Sequence, residues 1–375
     1  MNVKTSHKIY LLLTAGVVLY LLHPKGGTWS YIIGVRWLYV FLLSFFLSIF
    51  FTIIAIYSAH KLKLLDHPDG RKVHILPTPR IGGIAIFLAF LFTLLRNLQF
   101  SRELMGLLIG GTIIFILGLL DDVYPLGAVP RIALQILASL IVIKSGVSIT
   151  FIPSHWPMEK LLEAIITVLW FIGIANAVNF LDGIDGLVSS FGVMCSLLFF
   201  LIAMPTEQTF LGFLCIALAG ACTGFLFFNW NPAKIFLGDS GSTFIGFVLA
   251  GIGVMGSWAE NNPVVALSTP LLILGIPIFD MIYTTISRIK NGRVRNVRQW
   301  LEYVGKDHFH HRLMKMGFSI PRSVGFIVLL SLSLGLGALV IRDAGTTGSL
   351  ILIVQATVFF LVVVLLMLTG RQIAD

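Results

Sequence analysis

A chain of 375 residues with 57% hydrophobic and only 11% charged residues is not a soluble domain, in which about 25% of residues are charged. Its formal charge of +9 is dispersed in short clusters between apolar runs, which argues against a nucleic acid polymer as partner. The three cysteines, Cys195, Cys215 and Cys222, lie inside apolar runs without CxxC spacing, so neither a disulfide framework nor a zinc site is indicated.

Runs of about 20 apolar residues cross a bilayer, and the chain offers eleven: 35–57, 81–96, 104–120, 131–144, 161–178, 187–203, 209–228, 241–258, 264–287, 323–341 and 348–369. A shorter stretch, 9–22, follows Lys4 and Lys8 as a signal peptide would, but His23-Pro24-Lys25 offers no small-residue cleavage site. It reads as a retained helix. The expected fold is an all-α polytopic membrane protein of about 11 transmembrane helices, or 12 with the N-terminal one. Its parts are an N-terminal segment 1–34, a membrane domain 35–341 and a C-terminal helix and tail 342–375. Between runs, Val147–Ile152 alternates weakly and suggests a small strand pair before Pro153.

Placing both termini and the loops 58–80, 121–131, 179–186, 229–240 and 288–322 on one side gathers most of the 26 lysines and arginines there. Only Lys25, Arg36, Arg96, Arg102, Lys144, Lys160 and Arg342 remain for the other side. The positive-inside rule makes the first face cytoplasmic. Two runs separate each acidic cluster from the next, so Asp121, Asp122, Asp182, Asp185 and Asp239 all fall on that face. A carboxylate beside a bilayer is costly and usually functional.

Asp121 and Asp122 end a run. Successive helical residues point about 100° apart, so one is expected to face a site and the other to support it, unless the pair is only a solvated turn. In Asn176-Ala-Val-Asn179-Phe-Leu-Asp182-Gly-Ile-Asp185-Gly186, three-residue steps keep Asn176, Asn179 and Asp182 on one helical face. Gly183 and Gly186 let the chain turn and bring Asp185 back. Amide and carboxylate oxygens interleaved in this way suit a hard cation such as Mg²⁺. In Phe236-Leu-Gly-Asp239-Ser-Gly241, Asp239 opens the next run, where helical N–H groups favour phosphate. Phe236 either stacks on a base or, among 30 phenylalanines, merely packs.

The loop 288–322 carries Asp307-His308-Phe-His310-His311-Arg312 after Lys290, Arg293, Arg295 and Arg298. A polyanion clamp explains this better than zinc, whose partners are not spaced around the histidines. Attraction to anionic lipid explains the arginines and lysines but not the histidines. The first loop adds Arg71, Lys72 and His74 before Gly82-Gly83. Asp280, within a run, serves either the site or a neighbouring helix.

These four motifs, in this order over about residues 35–341, resemble the polyprenyl-phosphate N-acetylhexosamine-1-phosphate transferases. His308-Phe-His310-His311 and Arg71-Lys72-x-His74 are most similar to the bacterial branch that transfers GlcNAc-1-phosphate to undecaprenyl phosphate. The peptidoglycan branch, which uses a MurNAc-pentapeptide donor, usually has three consecutive histidines. The resemblance implies a reaction in which undecaprenyl phosphate attacks UDP-GlcNAc and UMP leaves, beginning a cell-surface polysaccharide or teichoic acid. It implies Asn179 and Asp239 on Mg²⁺ (or Mn²⁺), and Asp121 with Asp122 beside the lipid phosphate. It places Asp182 and Asp185 at the nucleotide pocket and Phe236 on uracil. His308, His310, His311 and Arg312 would then grip the diphosphate, with Arg71, Lys72 and His74 as further substrate contacts. A homodimer in the bacterial inner membrane, with cytoplasmic catalytic loops, is also implied. A transporter or flippase of a phosphorylated lipid is the rival from another class.

Overall fold

Backbone amides in hydrocarbon must bond within their own segment, and the chain meets this demand with helices: 78% of the computed structural model is helical. The structure describes residues 3–67, 76–153, 155–206, 208–259, 263–296, 299–300, 303, 305, 307–341 and 346–372. The N-terminal part holds α1 (Val3–Leu22), α2 (Thr28–Ile32), α3 (Arg36–Leu62) and α4 (Gly83–Asn97). The middle holds α5 (Arg102–Val123), α6 (Ala128–Lys144), α7 (Glu159–Leu181), α8 (Leu187–Ala203), α9 (Thr209–Asn229) and α10 (Gly238–Met255). Then follow α11 (Pro263–Ile273), α12 (Gly275–Lys290), α13 (Phe309–Lys315), α14 (Ile320–Ile341) and α15 (Thr346–Gln372). A two-stranded antiparallel pair, β1 (Leu65–Asp66) and β2 (Thr78–Pro79), closes the first loop.

By length and composition, seven helices among the described residues can cross a membrane, or eight if the bent pair α11–α12 is one span. Hydropathy along the sequence alone suggests about eleven, or twelve with the N-terminal helix. The run 81–96 yields α4, whose 15 residues rise only about 22 Å against a hydrocarbon core of about 30 Å. Its entrance is spent elsewhere: Gly82 N–H and Gly83 N–H donate to the carbonyls of Phe236 and Leu237 at 3.0 and 2.8 Å. The run 131–144 gives α6, also short at 17 residues, and the apolar part of α15, Leu350–Leu366, falls in the same short class. The run 264–287 bends by 79°. Pro277 lacks the N–H that would reach the Ile273 carbonyl, and the Cys195 thiol takes that carbonyl instead at 3.5 Å. Val147–Ile152 forms no strand pair. There the Ile149 N–H donates to Thr167 Oγ1 at 2.9 Å.

The most enclosed span is α10, which packs against α4, α5 and α7. Small residues permit backbones to meet in a membrane, where apolar surface alone gives helices little reason to associate. At Gly118 of α5, an added Cβ would stand 2.5 Å from Ser240 Cα. That contact sets the C-terminal end of α5 on the N-terminal turn of α10.

Candidate functional site: a carboxylate cluster facing a histidine turn

The crossing of α5 with α10 decides what the two adjacent aspartates do. Asp122, its side chain buried, turns its carboxylate onto the first turn of α10. Its Oδ1 accepts the Asp239 N–H at 2.7 Å, and its Oδ2 accepts the Ser240 N–H at 3.0 Å and the Ser240 hydroxyl at 2.7 Å. A helix leaves its first N–H groups without internal partners and positively polarised. Asp122 supplies both the acceptors and the charge, from a helix 117 residues away in sequence. Asp121 lies against Asp239. Its Oδ1 accepts the Leu126 N–H at 2.6 Å and its Oδ2 accepts Arg131 Nη1 at 3.0 Å. Asp239 is more open, and its Oδ1 accepts Arg80 Nη2 at 2.9 Å, while Arg80 Nε stands 3.4 Å from Asp122.

The α7–α8 turn forms the floor. Asn179 donates its amide to Ser242 Oγ at 2.8 Å, so α7 is keyed to the same end of α10. Asn176 points elsewhere. It exchanges hydrogen bonds with Gln135 of α6 at 3.0 and 3.4 Å and stands outside the cluster. Asp182 closes α7, and Gly186 takes φ +76°, a left-handed turn that opens α8. Asp185 Oδ2 accepts from Asn231 Nδ2 at 2.8 Å and the Ala233 N–H at 3.0 Å, which holds the loop leading to Phe236. Burial first, and then the Asp239 carboxylate, push the Asp182 carboxyl up to about 8.

The histidines meet this turn from the other side. An added Cβ at Gly183 would stand 2.1 Å from His310 Nε2, so the imidazole rests directly on the backbone between Asp182 and Asp185. His310 is buried, and among the described residues neither ring nitrogen has a hydrogen-bond partner. Burial, reinforced by His311 and His308, holds its pKa well below the usual value, so the ring is neutral. His308 packs on Phe180 and His311 on His310, with ring centroids 5.3 and 4.1 Å apart. Arg312 donates Nε to the Asp307 carbonyl at 2.9 Å and lies over Tyr283. Burial opposes ionisation of Asp307, but the hydrogen bonds and charge of Arg288 hold it below the ordinary carboxylate range.

Thus Asp121, Asp122, Asn179, Asp182 and Asp239 come together, and His310 stands on Gly183 beside them. Asp185 and Phe236 line the adjoining loop, where Phe236 N–H donates to the Pro79 carbonyl at 2.8 Å. Arg71, Lys72 and His74 lie outside the described residues. Several participants escaped sequence reasoning: Arg80, Arg131, Ser240, Ser242 and Asn229. Arg80 and the two serines flank the glycine and aspartate motifs, which was the available signal. Asn229, which accepts from the Gly186 N–H and Ser189 and donates to the Ile235 carbonyl, gave none.

Four carboxylates here face two guanidinium groups, Arg80 and Arg131. That negative surplus, and the upward displacement of Asp182, fit a cation. Among the described residues no three His, Cys, Asp or Glu side chains close on one point as a protein-only cage would. Mg²⁺ suits such a site, because it binds through one or two carboxylates and takes its other ligands from water and substrate phosphates. Asp239, whose Oδ1 already takes Arg80, and the amide oxygen of Asn179 are the groups that could hold such an ion.

A polytopic helical membrane protein with acidic residues gathered at one end of the bundle is the class that fold and site define. The family model described as glycosyl transferase family 4 matches residues 104–257, which run from α5 through α10 and include all five aspartates. A probable undecaprenyl-phosphate N-acetylglucosaminyl 1-phosphate transferase of Bacillus subtilis is 31% identical over 334 residues, covering 88% of this chain and 91% of that protein. A decaprenyl-phosphate N-acetylglucosaminephosphotransferase of Mycobacterium tuberculosis (strain H37Rv) is 32% identical over 304 residues, covering 72% of this chain and 74% of the relative. An undecaprenyl-phosphate alpha-N-acetylglucosaminyl 1-phosphate transferase of Thermotoga maritima is 32% identical over 243 residues, covering 65% and 72%. The chain belongs to this family, the polyprenyl-phosphate N-acetylhexosamine-1-phosphate transferases.

Proposed function

We propose that the protein transfers GlcNAc-1-phosphate from UDP-GlcNAc to undecaprenyl phosphate, releasing UMP and forming undecaprenyl-diphosphate-GlcNAc. The observation that carries this reading is the meeting at Gly183 of a carboxylate cluster with surplus negative charge and a buried histidine whose nitrogens are unmet. The names of the relatives point to the same chemistry.

Phosphoryl transfer needs positioning and charge neutralisation more than covalent help. Bound between Asp239 and Asn179, Mg²⁺ would neutralise charge on the donor diphosphate. Asp122 keeps Asp239 in place by fixing the first turn of α10. Asp121, held by Arg131 and the Leu126 N–H, orients the attacking lipid phosphate. That phosphate has a second pKa near 6 and is largely ionised already, so direct attack is preferred to an aspartyl-phosphate intermediate. His310 offers neutral ring nitrogens to the diphosphate, with His308, His311 and Arg312 beside it, and Arg80, paired with Asp239 and Asp122, brings a cation to the carboxylate cluster. Asp185 sets the loop that carries Phe236, the surface offered to uracil, while Asp182 keeps the floor acidic. Arg71, Lys72 and His74 add donor contacts from the first loop.

Residues 35–341 form the transferase in this reading, with the site on the cytoplasmic side of a bacterial plasma membrane, as the basic loops favour. A homodimer is part of the same proposal. The test is UMP release by purified protein given undecaprenyl phosphate, UDP-GlcNAc and Mg²⁺. Absence of UMP with every UDP-amino-sugar sinks the enzyme reading and favours a transporter. Turnover only with the MurNAc-pentapeptide donor moves the protein to the peptidoglycan reaction.

A further inference from the structure

The buried acid of α12 takes no part in the transfer as set out above. Asp280 is 2% exposed, and both of its oxygens are committed to the start of α13. Its Oδ2 is 2.8 Å from His308 Nδ1, and its Oδ1 accepts the Phe309 N–H at 2.9 Å. Across the imidazole, Nε2 faces Arg288 Nη2 at 3.2 Å. Arg288 in turn forks onto Asp307, with Nε to Oδ2 at 2.9 Å and Nη2 to Oδ1 at 2.6 Å. An acceptor at one ring nitrogen and a donor at the other leave room for only one neutral tautomer. A carboxylate at Nδ1 and a guanidinium at Nε2 require the proton on Nδ1.

The short helix α13 has seven residues, far below the length at which a helix holds itself in water. Its position is therefore set by tertiary bonds, and Asp280 makes the ones at its first residue. From that residue the run continues into His310, which rests on Gly183, and His311, which lies beside it. We infer that Asp280 is a positioning residue: from within α12 it fixes the tautomer of His308 and the start of α13, and so sets where the histidines stand over the Asp182–Asp185 turn. The kinetic consequence rests on the transfer proposed above, whereas the geometric one does not.

Two variants separate the outcomes. Asp280→Ala removes both bonds. Asp280→Asn keeps an acceptor for the Phe309 N–H but turns an amide N–H toward His308 Nδ1, which forces the other tautomer and sets Nε2–H against Arg288. The first measurement is modification by diethyl pyrocarbonate in detergent, read by peptide mass, with exposed His23 and His60 as internal standards. His308 should stay unmodified in the parent and react alongside His23 and His60 in Asp280→Ala. The same loss of protection is expected in Asp280→Asn should the alanine variant not fold. Undiminished protection in a folded variant overturns the inference. The second measurement is kinetic: Asp280→Asn should raise KM for UDP-GlcNAc about tenfold, the worth of one buried hydrogen bond, and leave KM for polyprenyl phosphate nearly unchanged. Asp280→Asn combined with His308→Ala should be no slower than His308→Ala alone, and losses that multiply count against action through His308. A parent enzyme silent toward every donor refutes the transferase reading instead, and leaves the modification measurement to decide the positioning role.

Discussion

Asp122→Asn tests whether one of two adjacent aspartates acts through architecture. In the parent, Asp122 Oδ1 serves the Asp239 N–H and Oδ2 serves both donors of Ser240. An isosteric amide has one acceptor oxygen. If it faces the two Ser240 donors, its NH₂ is driven against the Asp239 N–H, which loses its partner. A buried donor without a partner costs about 1–3 kcal/mol, and removing the negative charge at this helix start adds up to about 2 kcal/mol. Arg80, 3.4 Å away, also loses one of its two anionic neighbours. The structure can relieve this strain by shifting the first turn of α10, which carries Asp239. A displacement of about 1 Å in a positioning group lowers rates about 10²-fold. The expected result is therefore a kcat about 10²-fold lower in the UMP-release assay, with KM for polyprenyl phosphate near the parent value and a modest fall in the thermal midpoint. Parent-like kcat refutes the positioning argument. A raised KM for the lipid at unchanged kcat also refutes it, by placing Asp122 on the lipid phosphate.

Other outcomes follow from the same geometry. Asp239→Asn should nearly abolish turnover while expression and folding persist, and substantial Mg²⁺-dependent activity in that variant would refute its metal role. Arg80→Ala frees Asp239 Oδ1 from a competing cation, so the Mg²⁺ concentration giving half-maximal thermal stabilisation should fall severalfold; an unchanged or higher value contradicts this. Gly183→Ala sets a methyl group 2.1 Å from His310 Nε2 and should cost more than tenfold in rate without unfolding the protein, whereas a parent rate would show that the histidine does not stand there. With the Asp182 carboxyl raised to about 8 in the folded state, the native protein holds a proton there that the unfolded chain releases near pH 4. Metal-free stability should thus decline as pH rises through about 8. Added Mg²⁺ should raise the midpoint more at about pH 9 than at about pH 6. The opposite trend would exclude Asp182 as a carboxyl affected by the cation.

Hydropathy by itself determined that this is a helical membrane protein and that its acidic motifs close or open apolar runs. Composition over 20-residue windows is a local sum, and local sums are what bilayer insertion reads. The same locality does not say how much of each apolar run becomes one long helix. Gly82 and Gly83 look like the start of a span, yet their amides are taken by Phe236 and Leu237, far along the chain. The motif Asn176-x-x-Asn179-x-x-Asp182 looks like one face, but Gln135 draws Asn176 to α6 while Ser242 draws Asn179 to α10. Asp121 and Asp122 are neighbours in sequence with different tasks, because α10 crosses α5 beside Gly118 and offers its unpaired N–H groups to one of them. The roles of Asp280 and Arg80 were equally hidden, since a charge's meaning depends on which partners surround it. Sequence named the chemical groups; only helix packing, which joins groups far apart along the chain, decided which partners each carboxylate took.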